Sequence, residues 1–373
     1  MTKKTHDDYA RQFSVLGYSF KMNDMDDSIE VNDIRLNDGY VAEIESKMSD
    51  ASFPVSNCRR AWTYEAHKAR YHPIKDYFNG LQWTGQDHFG EFVNYFQFDN
   101  HDFATTALWR FMLGVVGKAL NRDQNFMLVL DGKQGIGKSW LSRWICPLEK
   151  YFVEGTLNPD HNDTKLRIIA NLIWEVGELQ YTTRKTDVEA IKNIITQREI
   201  TARPPYYRHD ITKPVTCSFI GTINENGAGF LNDPTGSRRF VVAKINSIDH
   251  DYIKLNKDQL WAQVAAAYKA GERGSLTQNE QKEQNQINSG YTLISSTHEI
   301  LLTLVEIDPD KYPNIWTPAA NILLHLFANG MTGSQKAAQM EVAAIMEELG
   351  IEKSNVHSVT NHGRKTCYRG VKI

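Results

Sequence analysis

The sequence predicts an α/β protein: a parallel sheet covered by helices around a phosphate-binding loop, preceded by a helical N-terminal region and followed by a winged-helix-like domain. Three observations carry this prediction. The stretch Gly132-Lys133-Gln134-Gly135-Ile136-Gly137-Lys138-Ser139 fills every fixed position of the motif G-x-x-x-x-G-K-S/T. Short apolar runs fit for buried strands alternate with helical patterns around it. The C-terminal end reads as three short helices followed by two strands about a glycine turn, the pattern of a winged helix.

Composition sets the frame. At 373 residues, with 41% apolar and 23% charged side chains, the chain suits a protein of two or three domains with ordinary cores. No apolar run approaches the roughly 18 residues of a membrane span, and the polar Met1 to Asp8 lacks a signal-peptide apolar region, so no membrane association and a cytoplasmic location are expected. Cys58, Cys146, Cys217 and Cys367 are far apart and form no C-x-x-C pair, which argues against a disulfide framework and a zinc site.

Four regions follow in order. Residues 1–60 are acidic and weakly periodic, with turn signals at Asn37-Asp38-Gly39 and Phe53-Pro54, and suit a small appended domain. Residues 61–120 are helical: apolar side chains recur at helical spacing from Ala61 to Asn79 and from Phe89 to Leu120. Residues 121–275 hold the nucleotide domain, with strands expected at Phe126–Leu130, Leu172–Trp174, Val215–Thr222 and Phe240–Ile245. A polar stretch from Gly271 to Gly290 reads as a boundary, and residues 291–373 form the winged-helix-like domain, with helices at His298–Val305, Pro318–Phe327 and Gln335–Leu349.

The net charge of −3 says little, but its distribution says more. Residues 21–50 hold nine acidic side chains, whereas residues 353–373 hold Lys353, Arg364, Lys365, Arg369 and Lys372 and no acid. That asymmetry points to a basic contact surface at the C-terminal end, with Arg364, Lys365 and Arg369 on the wing as DNA contacts.

The motif residues define the expected chemistry. Glycines let the loop curl so that backbone N–H groups converge on phosphates, backed by the positive end of a helix dipole. Gly132, Gln134, Gly135, Ile136, Gly137, Lys138, Ser139 and Trp140 are therefore expected to bind ATP, with Lys138 on the β/γ-phosphates and Ser139 on Mg²⁺. Hydrolysis also needs a carboxylate at a neighbouring strand end. Leu172-Ile173-Trp174-Glu175-Val176-Gly177-Glu178 supplies two: Glu175 for the Mg²⁺ shell and Glu178 for water, or the reverse. Glu178 joins the site only if the chain turns at Gly177, because strand residues three apart face opposite sides. Asn224 ends the next strand, where it can bond the attacking water or the γ-phosphate. In Asp233-Pro234-Thr235-Gly236-Ser237-Arg238-Arg239-Phe240, one arginine could stabilise the transferring phosphoryl group, in a ring on the neighbour's nucleotide.

The order G-K-Q-G-I-G-K-S, I-W-E-V-G-E-L, R-P-P-Y-Y, G-T-I-N and D-P-T-G-S-R-R-F resembles the virulence-associated E proteins of phages and mobile genetic islands, AAA+ ATPases similar to superfamily 3 replicative helicases. The likeness runs from about Tyr71 to Tyr268, with a weaker match in the tail. It implies that Lys138 and Ser139 bind nucleotide and Mg²⁺, Glu175 and Glu178 form the acidic motif, Asn224 is the sensor, and Arg238 or Arg239 is the arginine finger. One departure matters: superfamily 3 helicases usually carry adjacent carboxylates, and here two residues separate them. The 60 residues ahead are too few for the primase-polymerase domain that some relatives carry.

Residues 181–213 hold seven Lys or Arg against four acids, with tyrosines interspersed, a composition suited to single-stranded DNA. The resemblance implies a hairpin here that points into a ring pore, with Arg208, His209 or Lys213 on DNA; Arg203 and Tyr206 either join it or brace the nucleotide domain or a subunit interface. The expected function is an ATP- and Mg²⁺-dependent DNA helicase, a hexameric ring acting on single-stranded or forked DNA with other replication proteins. The alternatives are a replication initiator or loader that does not unwind DNA, and a small-molecule kinase, which would not need the paired arginines or the basic segments.

Overall fold

The computed structural model describes residues 4–158, 161–177, 179, 185–204, 209–224, 231, 238–291, 296–357 and 364–373. These form two compact units, Met1–Thr292 and Leu293–Ile373.

The first unit opens with α1 (His6–Val15), β1 (Phe20–Asn23), β2 (Ile29–Val31), β3 (Ile34–Arg35), α2 (Asp38–Asp50), α3 (Val55–Lys68) and β4 (Arg70–Tyr71). The strands pair in the order β3-β2-β1-β4. Asn37, expected in a turn, caps α2 instead: its side chain accepts from Tyr40 N at 3.0 Å, the same local bond that an Asx turn would use. Residue 60, where a boundary is expected, lies inside α3. Ala61, Trp62 and Ala66 of α3 pack with Phe13, Phe20, Ile44 and Met48 in one core, and β4 pairs in parallel with β1. The helix expected over Ala61–Asn79 is thus broken, and a new one starts with Pro73 in its first turn, where the missing N–H does no harm.

The chain continues through α4 (Pro73–Gly80), α5 (His88–Val93), β5 (Phe96–Phe98), α6 (His101–Asn121), β6 (Met127–Gly132), α7 (Lys138–Ile145), β7 (Phe152–Glu154), α8 (Asn162–Ala170), β8 (Ile173–Val176), α9 (Lys185–Thr196), β9 (Glu199–Ala202), β10 (Ile211–Pro214), β11 (Ser218–Asn224), β12 (Phe240–Ile248), α10 (Lys257–Lys269) and α11 (Gln278–Ser289). Six strands make the central sheet, in the order β5-β12-β6-β11-β8-β7. All neighbours are parallel except β5 on β12. Both faces are buried, which is why these strands read as continuous apolar runs. Leu128, Leu130, Ile220 and Val241 share a core with α6, α7 and α10, while Met127, Val129, Phe219 and Val242 share another with Ile168 of α8 and Ile194 of α9.

Two expectations fail here. The helical run Phe89–Leu120 is interrupted by β5, where Phe96 and Phe98 are buried on either side of exposed Gln97, and Asn100 then caps α6. The polar stretch read as a boundary contains α11. A capping box from Thr277 and Glu280 opens that helix, and Gln284 and Asn288 donate to Phe240 O at 2.7 and 3.0 Å.

The second unit holds α12 (Ser296–Leu304), β13 (Glu306–Ile307), β14 (Trp316–Pro318), α13 (Ala319–Ala328), α14 (Gln335–Glu348), β15 (Lys353–His357), β16 (Arg364–Arg369) and β17 (Val371–Lys372). The two strands expected at the C-terminal end are β15 and β16; β14 joins them in an antiparallel sheet β14-β16-β15, and β14 and the pair β13-β17 are strands that the sequence did not reveal. Leu301, Ile322, Leu326, Val342, Met346 and Tyr368 form its own core. Among the described residues no helix is long and apolar enough to cross a membrane.

Candidate functional site

The loop 133–137 leaves the C-terminal end of β6, the second strand from one side of the parallel set, and enters α7. Its glycines are required by geometry. Gly135 and Gly137 have φ of +83° and +99°, and a Cβ on Gly137 would meet His250 Cε1 at 2.4 Å. A Cβ on Gly132 would lie 2.4 Å from Ile245 O and 2.8 Å from Ile136 Cδ1.

Four sequence-predicted residues converge here. Lys138 opens α7 and is buried; its Nζ donates to Gly132 O at 2.7 Å and Lys133 O at 2.8 Å, and reaches Asn224 Oδ1 at 3.4 Å. Asn224 stands beside Gly132 because β11 and β6 pair in that register. Ser139 Oγ donates to Glu175 Oε1 at 2.6 Å, and Thr222 Oγ1 donates to the same oxygen at 3.2 Å. Glu175 is only 2% exposed, and its Oε2 is buried with no hydrogen-bond partner. A cleft of about 390 Å³ opens above these groups, lined by Gln134, Gly135, Gly137, Lys138, Ser139 and Trp140, with Gly177, Thr222 and Asn224 across from them. Trp140, 71% exposed, stands at its rim.

Burial sets the electrostatics. Desolvation lowers the pKa of Lys138, countered by Asp131 and Glu175. Desolvation also raises Glu175 above the usual carboxylate range, and the hydroxyls of Ser139 and Thr222 oppose that shift. A buried ammonium, two hydroxyls and a carboxylate with a free oxygen, all at the C-terminal end of parallel strands, suit an anionic ligand that brings its own cation.

Other predicted residues lie elsewhere. Arg238 and Arg239 precede β12, whose first residue Phe240 pairs with Met127 at the start of β6. They therefore sit at the opposite end of the sheet from the loop, about 17 Å away along β6, beside a cleft shared with Gln124, Thr196 and Ser275. Arg239 Nε is buried without a hydrogen-bond partner. Glu178, Tyr206 and Arg208 lie outside the described residues. β9 and β10 do form an antiparallel pair, and His209 beside it is exposed. Lys213 does not present an open charge for DNA: its Nζ pairs with Asp27 Oδ1 at 2.8 Å and donates to Asp24 O at 3.0 Å, tying β10 to the N-terminal sheet. Arg203 pairs with Asp210 at 2.6 Å and its backbone exchanges bonds with the Asn162 side chain, which is a bracing role. In the second unit Lys365 is exposed, Arg364 begins β16, and Arg369 is committed to Glu352 at 2.9 Å and Pro313 O at 2.9 Å.

Sequence reasoning missed Thr222, His250 and the pair Arg143 and Glu154. Thr222 lay inside a strand already identified, and a period of two from Asn224 would have placed it on the same face. β7 is three residues long and has no periodicity to read, so only its pairing with β8 brings Glu154 beside Glu175.

The model of the virulence-associated protein E-like domain matches residues 78–293, more than half of the chain. The chain belongs to that family. The match begins within α4 and ends at the boundary between the two units, so the virulence-associated protein E-like domain takes in the central sheet and its helices and leaves the N-terminal sheet and the second unit outside. Among curated proteins none matches the sequence. In fold, this virulence-associated protein E-like chain is similar to two solved apo structures of the NrS-1 C-terminal region (305–718). The A form gives a TM-score of 0.53 at 12% identity, and the other 0.51 at 13%; in both, 99% of this chain and 100% of that chain are covered.

Proposed function

We propose that this protein is an ATP-driven motor of the AAA+ superfamily 3 type, a DNA helicase serving replication of a phage or mobile element and assembled as a ring. The observation that carries the reading is the convergence of Lys138, Ser139, Glu175 and Asn224 at the end of the sheet. The five parallel strands, taken in chain order, stand fifth-first-fourth-third-second across the sheet, so the loop strand has a neighbour on each side, and β11 and β8 carry the sensor and the acid. A Gly-rich loop between such a strand and a helix is what a triphosphate needs.

The residues also fit Mg²⁺. Ser139 Oγ and the unpartnered, buried Oε2 of Glu175 would hold it. Mg²⁺ usually binds by one or two protein groups plus substrate phosphates. When bound it would neutralise charge on the β- and γ-phosphates. Lys138 would leave its loop carbonyls for the γ-phosphate, and Asn224 would orient water or that phosphate. Arg238 or Arg239, too far from this chain's own loop, would act on a neighbouring copy's nucleotide.

DNA contacts are assigned to His209 and the undescribed Arg208 beside it, and to Lys365 and Arg364 of the second unit. The three helices and the three-stranded sheet β14-β16-β15 of that unit are compatible with a winged helix, and this supports the assignment. The same feature favours a second reading, a replication initiator or loader whose ATP cycle governs assembly on duplex DNA. Lys138→Ala should abolish ATP hydrolysis, and single-stranded DNA should stimulate the unmodified protein; turnover unimpaired by Lys138→Ala would refute the site. Unwinding of a forked duplex with ATP selects the helicase, and stimulation without unwinding selects the initiator.

A further inference from the structure

Glu154 and Arg143 stand next to the acidic residue of the site without a role in it. β7 pairs in parallel with β8 so that Glu154 is the direct neighbour of Glu175. In-register side chains of a parallel pair leave the same face of the sheet, about 4.8 Å apart. That face is the one α7 covers. Arg143, one turn beyond Ser139 on α7, reaches Glu154 Oε2 at 3.5 Å and Glu149 Oε1 at 3.2 Å, with its guanidinium 4.9 Å from the Phe152 ring centre.

The backbone on either side of this contact is fixed although Glu154 itself is 61% exposed. Gly155 N donates to Glu175 O at 3.0 Å, and Trp174 Nε1 donates to Gly155 O at 2.9 Å. Two carboxylates held side by side repel each other unless cations stand between them. Arg143 pairs directly with the exposed member and at longer range also favours the charged form of Glu175, as does the buried Lys138. Glu175 keeps a buried oxygen, Oε2, with no partner.

We infer that Glu154 supplies the second carboxylate of the divalent-cation site begun by Ser139 and Glu175, and that Arg143 is its counter-ion in the nucleotide-free protein. This rests on the nucleotide-binding reading above. When the cation arrives with the triphosphate, Arg143 yields Glu154 and keeps Glu149.

The test is a calorimetric titration of Mg²⁺ into the full chain saturated with a non-hydrolysable ATP analogue, with analogue binding in EDTA measured alongside. Glu154→Gln should weaken Mg²⁺ binding by about tenfold or more, the usual effect of losing a group that supports a metal site, while analogue binding in EDTA stays the same. Glu154→Asp should recover part of the loss. Arg143→Ala should tighten Mg²⁺ binding, and that gain should shrink in the Glu154→Gln background, because the arginine's ion pair beside the site is with Glu154. Thermal melts monitor folding, and if Glu154→Gln melts early, Glu154→Asp and the Arg143 pair of variants decide. A normal Mg²⁺ midpoint in Glu154→Gln, or an Arg143 effect that is undiminished without Glu154, overturns this inference alone. An unmodified protein that binds no analogue overturns both it and the nucleotide reading.

Discussion

Lys118 lies in the last turn of α6, 3% exposed, with its Nζ buried, without a hydrogen-bond partner and 5.5 Å from the centre of the Phe219 ring. Lys138 is buried too, but it has two loop carbonyls and Asn224 as acceptors, and a bound phosphate would give it a charge to answer. Burial alone pulls Lys118 from 10.5 to about 8. Its folded-state pKa is depressed, so below pH 8 the unfolded chain and the native chain both carry the proton and the native state bears the full cost of burying it. Between pH 8 and about 10.5 the native lysine loses the proton first, and stability rises with pH relative to a neutral side chain. The whole difference is about 3 kcal/mol. Lys118→Met should therefore raise the melting temperature at pH 7, and the advantage should shrink as pH passes from 8 towards 10.5. An advantage that stays constant across that range would show that the gain comes from packing and not from the charge.

At the scale of elements, α11 shows how polar side chains can seal a helix onto a sheet. Its mean character is hydrophilic, yet Gln284 and Asn288 are buried and donate to Phe240 O where β12 begins. Replacing both by alanine removes two donors from one buried carbonyl, at a cost of about 1–3 kcal/mol in all. The double variant should melt several degrees lower, with Arg238 and Arg239 displaced because Gln284 also holds Arg238 O at 3.1 Å; a melting curve matching that of the unmodified protein would remove this role. This is also where sequence reading fell short. Apolar periodicity identifies elements that bury hydrocarbon, and it found β6, β8, β11, β12 and the long α6. It could not find α11, whose buried residues are amides, nor β5 and β7, too short to show a period. Within the site, the loop was legible because its chemistry is contiguous in the chain. Glu175 was legible as a charge ending an apolar strand, and Asn224 as an amide ending another. Glu154 and the engagement of Lys213 with Asp27 depend on strand register and on contact with the N-terminal sheet, which no local pattern encodes.

At the scale of the whole molecule, the central sheet separates the loop residues from the paired arginines. Lys138, Ser139 and Glu175 belong to the C-terminal end of the parallel strands, and Arg238 and Arg239 to the other end. No side-chain rotation closes about 17 Å of strand, so if the arginines serve hydrolysis they serve a neighbour's site. A surface that meets a different surface on the next copy is heterologous, and repeated around an axis it closes a ring. This yields a test that a monomeric enzyme cannot pass. Lys138→Ala abolishes the loop of every copy, and the double variant Arg238→Ala with Arg239→Ala abolishes every donor face, so each preparation alone should hydrolyse no ATP. In a random equimolar mixture, about a quarter of the interfaces join an intact loop to an intact arginine pair. Hydrolysis should reappear on mixing, rise with total protein concentration, and stay absent when both lesions are placed in the same chain. Failure to complement, with assembly of both variants verified by sedimentation, would confine Arg238 and Arg239 to a structural role at the start of β12.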